Sequence, residues 1–184
     1  YTQGMAGDHP TYRRVIPTLK HFCANNNEKE RNNCSSNVTP RTLREYYYRA
    51  FEASIVRGGT GSMMTAYNEL NGVPACMNPD LKTLVKKQWG LEFIVTDGAD
   101  FSQNVLSHHS HATHAEALAA CLKNGNDVMT DEADMVAAAA RDALDRGLLT
   151  EADIDRAVGN SLSGRFRLGE FDGDSCPYNT EPAE

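Results

Sequence analysis

Asp97 stands at the end of an apolar, β-branched run, Phe93-Ile94-Val95-Thr96, and is followed by Gly98. A run of this kind reads as a buried parallel strand. A carboxylate at the C-terminal edge of such a strand lies where α/β folds place their chemistry. The same residue type also caps helices, so Asp97 is either a reacting carboxylate or an N-cap. Gly98 would let the backbone turn sharply or a ligand come close. Three other apolar runs also end in polar side chains. Val15-Ile16-Pro17-Thr18-Leu19 leads into Lys20-His21, and Ser62-Met63-Met64-Thr65-Ala66 leads into Tyr67-Asn68. A short run at 126–129 ends among Asp127, Thr130 and Asp131. An ammonium, an imidazole, a phenol and carboxylates around one hollow suit a polyhydroxylated ligand. Lys and His bond hydroxyls, and Tyr offers a hydroxyl beside an apolar ring.

The elements that must position these groups are legible from caps and periods. Thr39 as N-cap with Pro40 behind it opens a helix on which Leu43, Tyr46, Tyr47, Ala50, Phe51 and Ile55 recur at helical spacing, ended by Gly58-Gly59. Asn78 and Pro79 open a second helix that stops at Gly90. Thr113 and Glu116 form a capping box for a third, closed by Gly125, and an Ala-rich helix spans 132–146. Thr150 with Asp153 opens the last, which runs to about Leu168. Residues 24–38 read as a long polar loop, 68–74 as turn chemistry, and 101–112 carries no clear period. The order β-α-β-α-β-α-β-α-α predicts parallel strands with helices outside. Four strands do not close a barrel that needs eight. The expectation is therefore an α/β chain forming part of a (β/α)8 TIM-type barrel, about four parallel strands with outer helices. It would be completed by missing residues or a partner chain. A small open α/β sheet, complete in itself, is the alternative.

With 184 residues, the chain is long enough for one domain with a sizeable core. Its net charge of -7, without a basic stripe, argues against a nucleic-acid partner. No apolar run approaches the roughly 20 residues of a membrane span. No signal peptide is visible at Tyr1. The five cysteines are irregularly spaced and include no CxxC pair, which excludes zinc-ribbon and thioredoxin frameworks. They are expected as free thiols in a reducing, cytoplasmic setting, with Cys121 buried on a helix; secretion is the alternative. His108, His109, His111 and His114 crowd one short stretch. Imidazoles suit Zn, Cu and Ni, but this spacing fits no helical metal motif, and a polar loop beside the pocket is expected instead.

Several motifs occur in a telling order. These are Lys20-His21-Phe22-Cys23-Ala24-Asn25-Asn26, Leu43-Arg44-Glu45-Tyr46-Tyr47, Met64-Thr65-Ala66-Tyr67-Asn68-Glu69-Leu70-Asn71-Gly72, and Trp89-Gly90-Leu91-Glu92-Phe93-Ile94-Val95-Thr96-Asp97. With the closing Arg165-Phe166-Arg167-Leu168-Gly169-Glu170-Phe171-Asp172, the chain resembles the family 3 glycoside hydrolases, the β-glucosidase and β-xylosidase group. Gly72-Val73-Pro74-Ala75-Cys76 and Gly98 lean toward the xylosidase-like branch; many family β-glucosidases carry Trp after the nucleophilic Asp. The resemblance implies that residues 1–172 are the C-terminal half of the family's barrel domain and 173–184 a linker or tail. It implies a retaining, exo-acting β-glycosidase for terminal β-glucosides or β-xylosides, using neither metal nor cofactor. Asp97 would be the nucleophile. Lys20 and His21 would bind sugar hydroxyls, Tyr67 would sit beside Asp97, Met64 would pack near the sugar, and Arg31 would orient the pocket. The structural alternatives are an ion pair and a satisfied core histidine for Lys20-His21, core packing for Tyr67 and Met64, and a solvated loop for Arg31. Neither Glu28, Glu69 nor Asp100 stands out as the acid/base, so that group is expected from outside this chain, in the remaining barrel half or a second domain. A carbohydrate-binding or assembly subunit that keeps the sugar pocket without chemistry is the rival reading.

Overall fold

The computed structural model describes residues 1–27 and 29–180. Glu28 and residues 181–184 of the expected tail lie outside the described residues. In chain order come a short helix α1 (Thr2–Ala6), β1 (Thr18–Phe22), β2 (Ser35–Ser36), and a helix that begins as α2 (Pro40–Thr42). That helix passes through a π-helical turn at Leu43–Tyr47 and ends as α3 (Tyr48–Val56). Next come β3 (Ser62–Thr65), β4 (Glu69–Leu70), β5 (Val73–Pro74), a π-helical segment at Leu81–Lys86, and β6 (Phe93–Val95). Helices α4 (Asp100–Leu106), α5 (His114–Lys123), α6 (Ala133–Asp145) and α7 (Glu151–Arg167) complete the chain up to two closing 3₁₀ turns.

The main sheet is parallel in the order β1-β3-β6. The fourth strand expected at 126–129 is reduced to one parallel bridge between Val95 and Val128. Hydrogen bonds from Asp127 N–H to Ile94 O (2.9 Å) and from Thr96 N–H to Val128 O (3.0 Å) continue the sheet there. Helical stretches follow each of these strands. The result is four parallel strand positions in one layer with helices against one face, an open segment of a (β/α)8 arrangement.

The first strand departs from the expected 15–19 and runs over Thr18–Phe22. Pro17 has no N–H to give a ladder. Ile16 packs instead at the start of the sheet, where its Cδ1 would lie 3.2 Å from a Cβ added at Gly164. Lys20 and His21 therefore sit inside β1 rather than after it. The register slips between Leu19 and Phe22, and the Lys20–His21 and Phe22–Cys23 peptides are cis.

Two apolar clusters hold the layers together. Under the sheet, Phe22, Met63 and Ile94 meet Tyr48, Ile55, Leu81, Leu84 and Val85 from the helices. Phe22 stacks on Tyr48 with centroids 5.2 Å apart, and the Tyr48 phenol donates to Asp80 Oδ2 at 2.9 Å, so its buried hydroxyl is satisfied. A second cluster joins Phe101, Leu118, Cys121, Leu122, Ala139, Ala143 and Leu149 from α4 to α7. Burying a large apolar side chain in such a cluster contributes about 1.5–3 kcal/mol. The alanines of α6 let it lie close on α5. Local signals end these elements where the sequence places them. Thr39 Oγ1 accepts from Thr42 N–H (3.2 Å), Thr113 pairs with Glu116, and Asp153 Oδ2 accepts from Thr150 N–H (3.0 Å). Asn71 and Gly72 both take positive φ (52° and 79°) and turn β4 back onto β5, while β2 pairs with β4.

The N-terminal end of the sheet is sealed. Arg13 Nη2 and Arg167 Nη1 both bond Glu92 Oε1, at 2.6 and 2.8 Å. Residues 173–180 turn back toward the chain's start, with Cys176 buried and His9 N–H donating to the Tyr178 phenol at 3.3 Å. All five cysteines are unpaired, and Cys121 is buried on α5. Among the described residues no helix is long and apolar enough to cross a membrane.

Candidate active site

The C-terminal edge of the sheet gathers most of the residues singled out from the sequence. Asp97 lies two residues past the end of β6. Its Oδ2 is 3.2 Å from His21 Nε2, and its Oδ1 accepts from Gly98 N–H at 2.8 Å. The two side chains keep 21% and 31% of their surface exposed, so a ligand can reach them. Helix α4 does not use the Asp97 carboxylate as a cap: Ala99 occupies the N-cap position, left-handed at φ 62°, and no side chain bonds there. Of the two uses expected for Gly98, the sharp turn falls instead on Ala99. A Cβ added at Gly98 would meet only the Tyr67 phenol oxygen, at 3.8 Å. Gly98 leaves space beside Asp97 rather than supplying conformational freedom.

Tyr67 follows β3 and spans the gap to this turn, donating from its phenol to Gly98 O at 2.9 Å. Burial, then the charge of Asp97 and a hydrogen bond with it, hold the phenol above its ordinary pKa. It stays neutral and a donor at neutral pH. The Arg31 guanidinium lies 4.8 Å from the centre of its ring. Asn68, next in line, is a buried hub: its Nδ2 reaches Cys23 O (3.2 Å), Ser36 Oγ (3.1 Å) and Glu69 O (2.9 Å). That amide fastens the loop carrying Arg31 to the ends of β1 and β3. Met64 is half-buried and pairs in register with Val95, on the opposite side of the sheet from buried Met63 and Ile94. The Lys20 side chain is exposed and makes no ion pair or hydrogen bond among the described residues. With His21 it lines a cleft of about 560 Å³ that also includes Asn25, Asn26, Tyr46 and Tyr47.

Other polar residues expected at this edge do something else. The Asp127 side chain is fully buried. It pairs with Lys86, with Arg156 Nη1 (3.3 Å) and with Asn160 Nδ2 (2.9 Å), and accepts from Ile94 N–H (2.9 Å). Burial lowers the Lys86 pKa against the pull of Asp127. This is a structural knot between the sheet and the outer helices, which a strand-end reading of 127–131 does not anticipate. Asp131 Oδ1 accepts from Ser102 N–H at 3.2 Å, and burial raises its pKa.

The four histidines diverge rather than converge. His108 Nε2 meets Tyr67 O at 2.7 Å, and its Nδ1 lies 3.7 Å from Glu69 Oε1. His109 Nδ1 meets Val105 O, His111 Nδ1 meets Ser110 Oγ, and His114 sets its ring edge-on to Phe101. Among the described residues no three His, Cys, Asp or Glu side chains form a group able to hold a metal ion. The stretch 101–112, without a clear period in the sequence, holds all of α4 but its first residue. That first residue, Asp100, is buried with 2% exposure and takes a hydrogen bond from Thr65 Oγ1 at 2.7 Å.

A model of the glycosyl hydrolase family 3 N-terminal domain matches residues 1–163. The chain belongs to glycosyl hydrolase family 3. Beta-D-xylosidase 1 of Arabidopsis thaliana is 34% identical to it, across 97% of this chain and 24% of that protein. The probable exo-1,4-beta-xylosidase xlnD of Aspergillus clavatus is 31% identical, again across 97% of this chain and 23% of that protein. Among solved structures, a GH3 exo-beta-xylosidase (XlnD) in complex with a xylobiose aziridine activity-based probe superposes with a TM-score of 0.88 at 26% identity. That match covers 96% of this chain and 24% of that one. The b-glucosidase EmGH1 of Erythrobacter marinus superposes with a TM-score of 0.84 at 26% identity, over the same shares. This family 3 chain thus spans about a quarter of the length of the relatives it matches. Its parallel sheet and helices superpose on about a quarter of a longer family 3 chain, in keeping with a partial barrel.

Proposed function

We propose that this chain carries the nucleophile side of a retaining, exo-acting β-glycosidase for terminal β-D-xylosides or β-D-glucosides. The single observation that carries the reading is the Asp97–His21 pair. A solvent-reachable carboxylate ends a parallel strand, is free of any capping role, and is held at 3.2 Å by an imidazole from the neighbouring side of the sheet. Asp97 would attack the anomeric carbon and form a glycosyl ester, which water then cleaves. His21 and Lys20 would bond hydroxyls of the terminal sugar, with His21 also aiming the carboxylate. The Tyr67 donor and the Arg31 cation would keep the Asp97 turn in place, and Met64 would give the sugar an apolar contact.

A retaining mechanism needs a second carboxyl about 5 Å from the first to protonate the leaving group and then activate water. Asp100 is buried under the rim, Asp131 is half-buried and bonded to Ser102 N–H, and Glu69 faces His108. None of these described carboxyls is poised for that role, and we assign the acid/base to the remaining barrel half or a second domain. The xylosidases among the relatives support xylosides as the first substrates to try.

The test is covalent trapping. The complete enzyme polypeptide is incubated with a 2-deoxy-2-fluoro-β-xyloside and with the glucoside, and the label is mapped by mass spectrometry. Label on Asp97 is the expected result, and the faster-labelling sugar gives the specificity. Label on a different carboxylate would sink the assignment. Saturable sugar binding with no label anywhere would favour a non-catalytic binding subunit.

A further inference from the structure

We propose that Asp100 is a positioning residue: its buried carboxyl latches the turn bearing Asp97 to β3. The inference rests on the reading of Asp97 as nucleophile. Asp100 opens α4 three residues after Asp97, and its main-chain N–H bonds Asp97 O at 3.0 Å, so the two residues belong to one turn. From β3, Thr65 Oγ1 donates to Asp100 Oδ2 at 2.7 Å. Thr65 is itself buried and lies two residues before Tyr67, whose phenol bonds Gly98 O in the same turn. The turn is therefore tied to β3 twice, once above Asp97 by Tyr67 and once below it by Asp100.

The surroundings of Asp100 explain why its neutral form is the one that fits. From the 75–77 turn the Cys76 thiol bonds it, and behind Cys76 stands Cys121 of α5. From α4, Asn104 Nδ2 bonds Cys76 Sγ (3.2 Å) and the Asp100 carbonyl (3.3 Å). The other charged groups near it are carboxyls, Asp131 on the loop after the fourth strand position and Asp97 itself. No Lys, Arg or His side chain bonds Asp100 among the described residues. Burial therefore outweighs the Thr65 and Cys76 hydrogen bonds, and the carboxyl is pushed up to about 7. Ionisation would put an uncompensated charge in a dry site beside Asp97 and favour opening of the latch. Between about pH 4 and about pH 7 the folded state holds a proton that the unfolded chain has lost. Stability therefore falls as pH rises through that window.

The experiment follows two quantities against pH in the complete enzyme polypeptide: the rate of Asp97 labelling by a 2-deoxy-2-fluoro glycoside, and the thermal midpoint. Wild type, Asp100→Asn and Thr65→Val are compared. Wild-type labelling should fall about tenfold per pH unit once Asp100 ionises, and Asp100→Asn should keep its rate through the same range. Thr65→Val removes the latch bond itself, so its labelling should be slower than wild type at every pH and depend less on the ionisation of Asp100. An Asp100→Asn protein with the wild-type alkaline limb overturns the proposal. If no label reaches Asp97 in any variant, the nucleophile reading fails by itself, and the thermal curves decide the fate of Asp100. Loss of the pH dependence in Asp100→Asn supports the latch, and an unchanged slope overturns it.

Discussion

Asp97 and Asp127 are carboxylates on neighbouring strand positions of one sheet, and the fold uses them in opposite ways. Asp127 sits level with Ile94, near the start of its strand, with no exposed side-chain surface and four partners drawn from three elements. Asp97 lies beyond the end of β6 with one imidazole, one backbone N–H and the nearby Tyr67 phenol for company. The outer helices close over one end of the sheet and leave the other open. A carboxylate under the helices must be neutralised to stay folded. A carboxylate at the open edge keeps its lone pairs for a ligand. Residue type does not separate these roles; height along the strand and the cover above it do.

The sharpest way to break this contrast is to remove each carboxylate in turn. Asp97→Asn is expected to lower kcat/KM by about 10⁴-fold or more, as for loss of a nucleophile. It should shift stability by less than ~1 kcal/mol, because the side chain is partly exposed and the amide oxygen can still accept from Gly98 N–H. Asp127→Ala is expected to do the reverse. It leaves Lys86 and Arg156 facing each other without their anion, at a cost of about 3–5 kcal/mol of stability. Folded molecules should retain near-normal activity. Paired thermal melts and steady-state assays on the complete polypeptide check both. An Asp127 variant that melts normally but is inactive would move Asp127 into the site and dissolve the distinction.

A smaller effect tests how the open edge keeps its shape. Tyr67→Phe deletes the hydrogen bond to Gly98 O but leaves the ring under Arg31. One such bond is worth about 0.5–1.5 kcal/mol. The expected loss is roughly two- to tenfold in kcat/KM, with little change in the thermal midpoint. A melt lowered as far as in Asp127→Ala would show that Tyr67 holds the fold rather than the turn.

Much of this architecture is legible in the sequence because its signals are local. Thr39-Pro40, Thr113 with Glu116, Thr150 with Asp153, and Asn71-Gly72 each act within a few residues, and each appears where its chemistry requires. The apolar stretch at 15–19 misleads for a physical reason. Ile16 is apolar to seal the start of the sheet, and only then does the strand begin. Asp127 has the sequence context of a strand-end acid, but its partners Lys86, Arg156 and Asn160 come from elements distant in the chain. The same holds for Asp100 on α4, whose partner Thr65 lies on β3. Pattern reading finds residues in the right neighbourhood. It does not find which neighbours neutralise them.

The gentlest probe concerns the space beside Asp97. Gly98 does not take a positive φ, and a Cβ there would stand 3.8 Å from the Tyr67 phenol oxygen, an ordinary contact. Gly98→Ala should therefore fold with a change within ~0.5 kcal/mol, and even a small gain is in keeping with the lower entropy of the unfolded chain. Among the described residues only that phenol stands near the methyl group. Any effect must then come from the ligand. If the sugar or its leaving group uses that space, KM rises while kcat and the thermal midpoint stay near wild type, and larger side chains at position 98 raise it further. Glycine at the sealed end gives the contrasting control: at Gly164 a Cβ would come within 2.9 Å of the Phe93 ring. Gly164→Val should cost about 1–3 kcal/mol of stability by overpacking and leave KM alone. Equal behaviour of the two substitutions would mean that the rim is packed as tightly as the floor, and that Gly98 leaves no room for substrate.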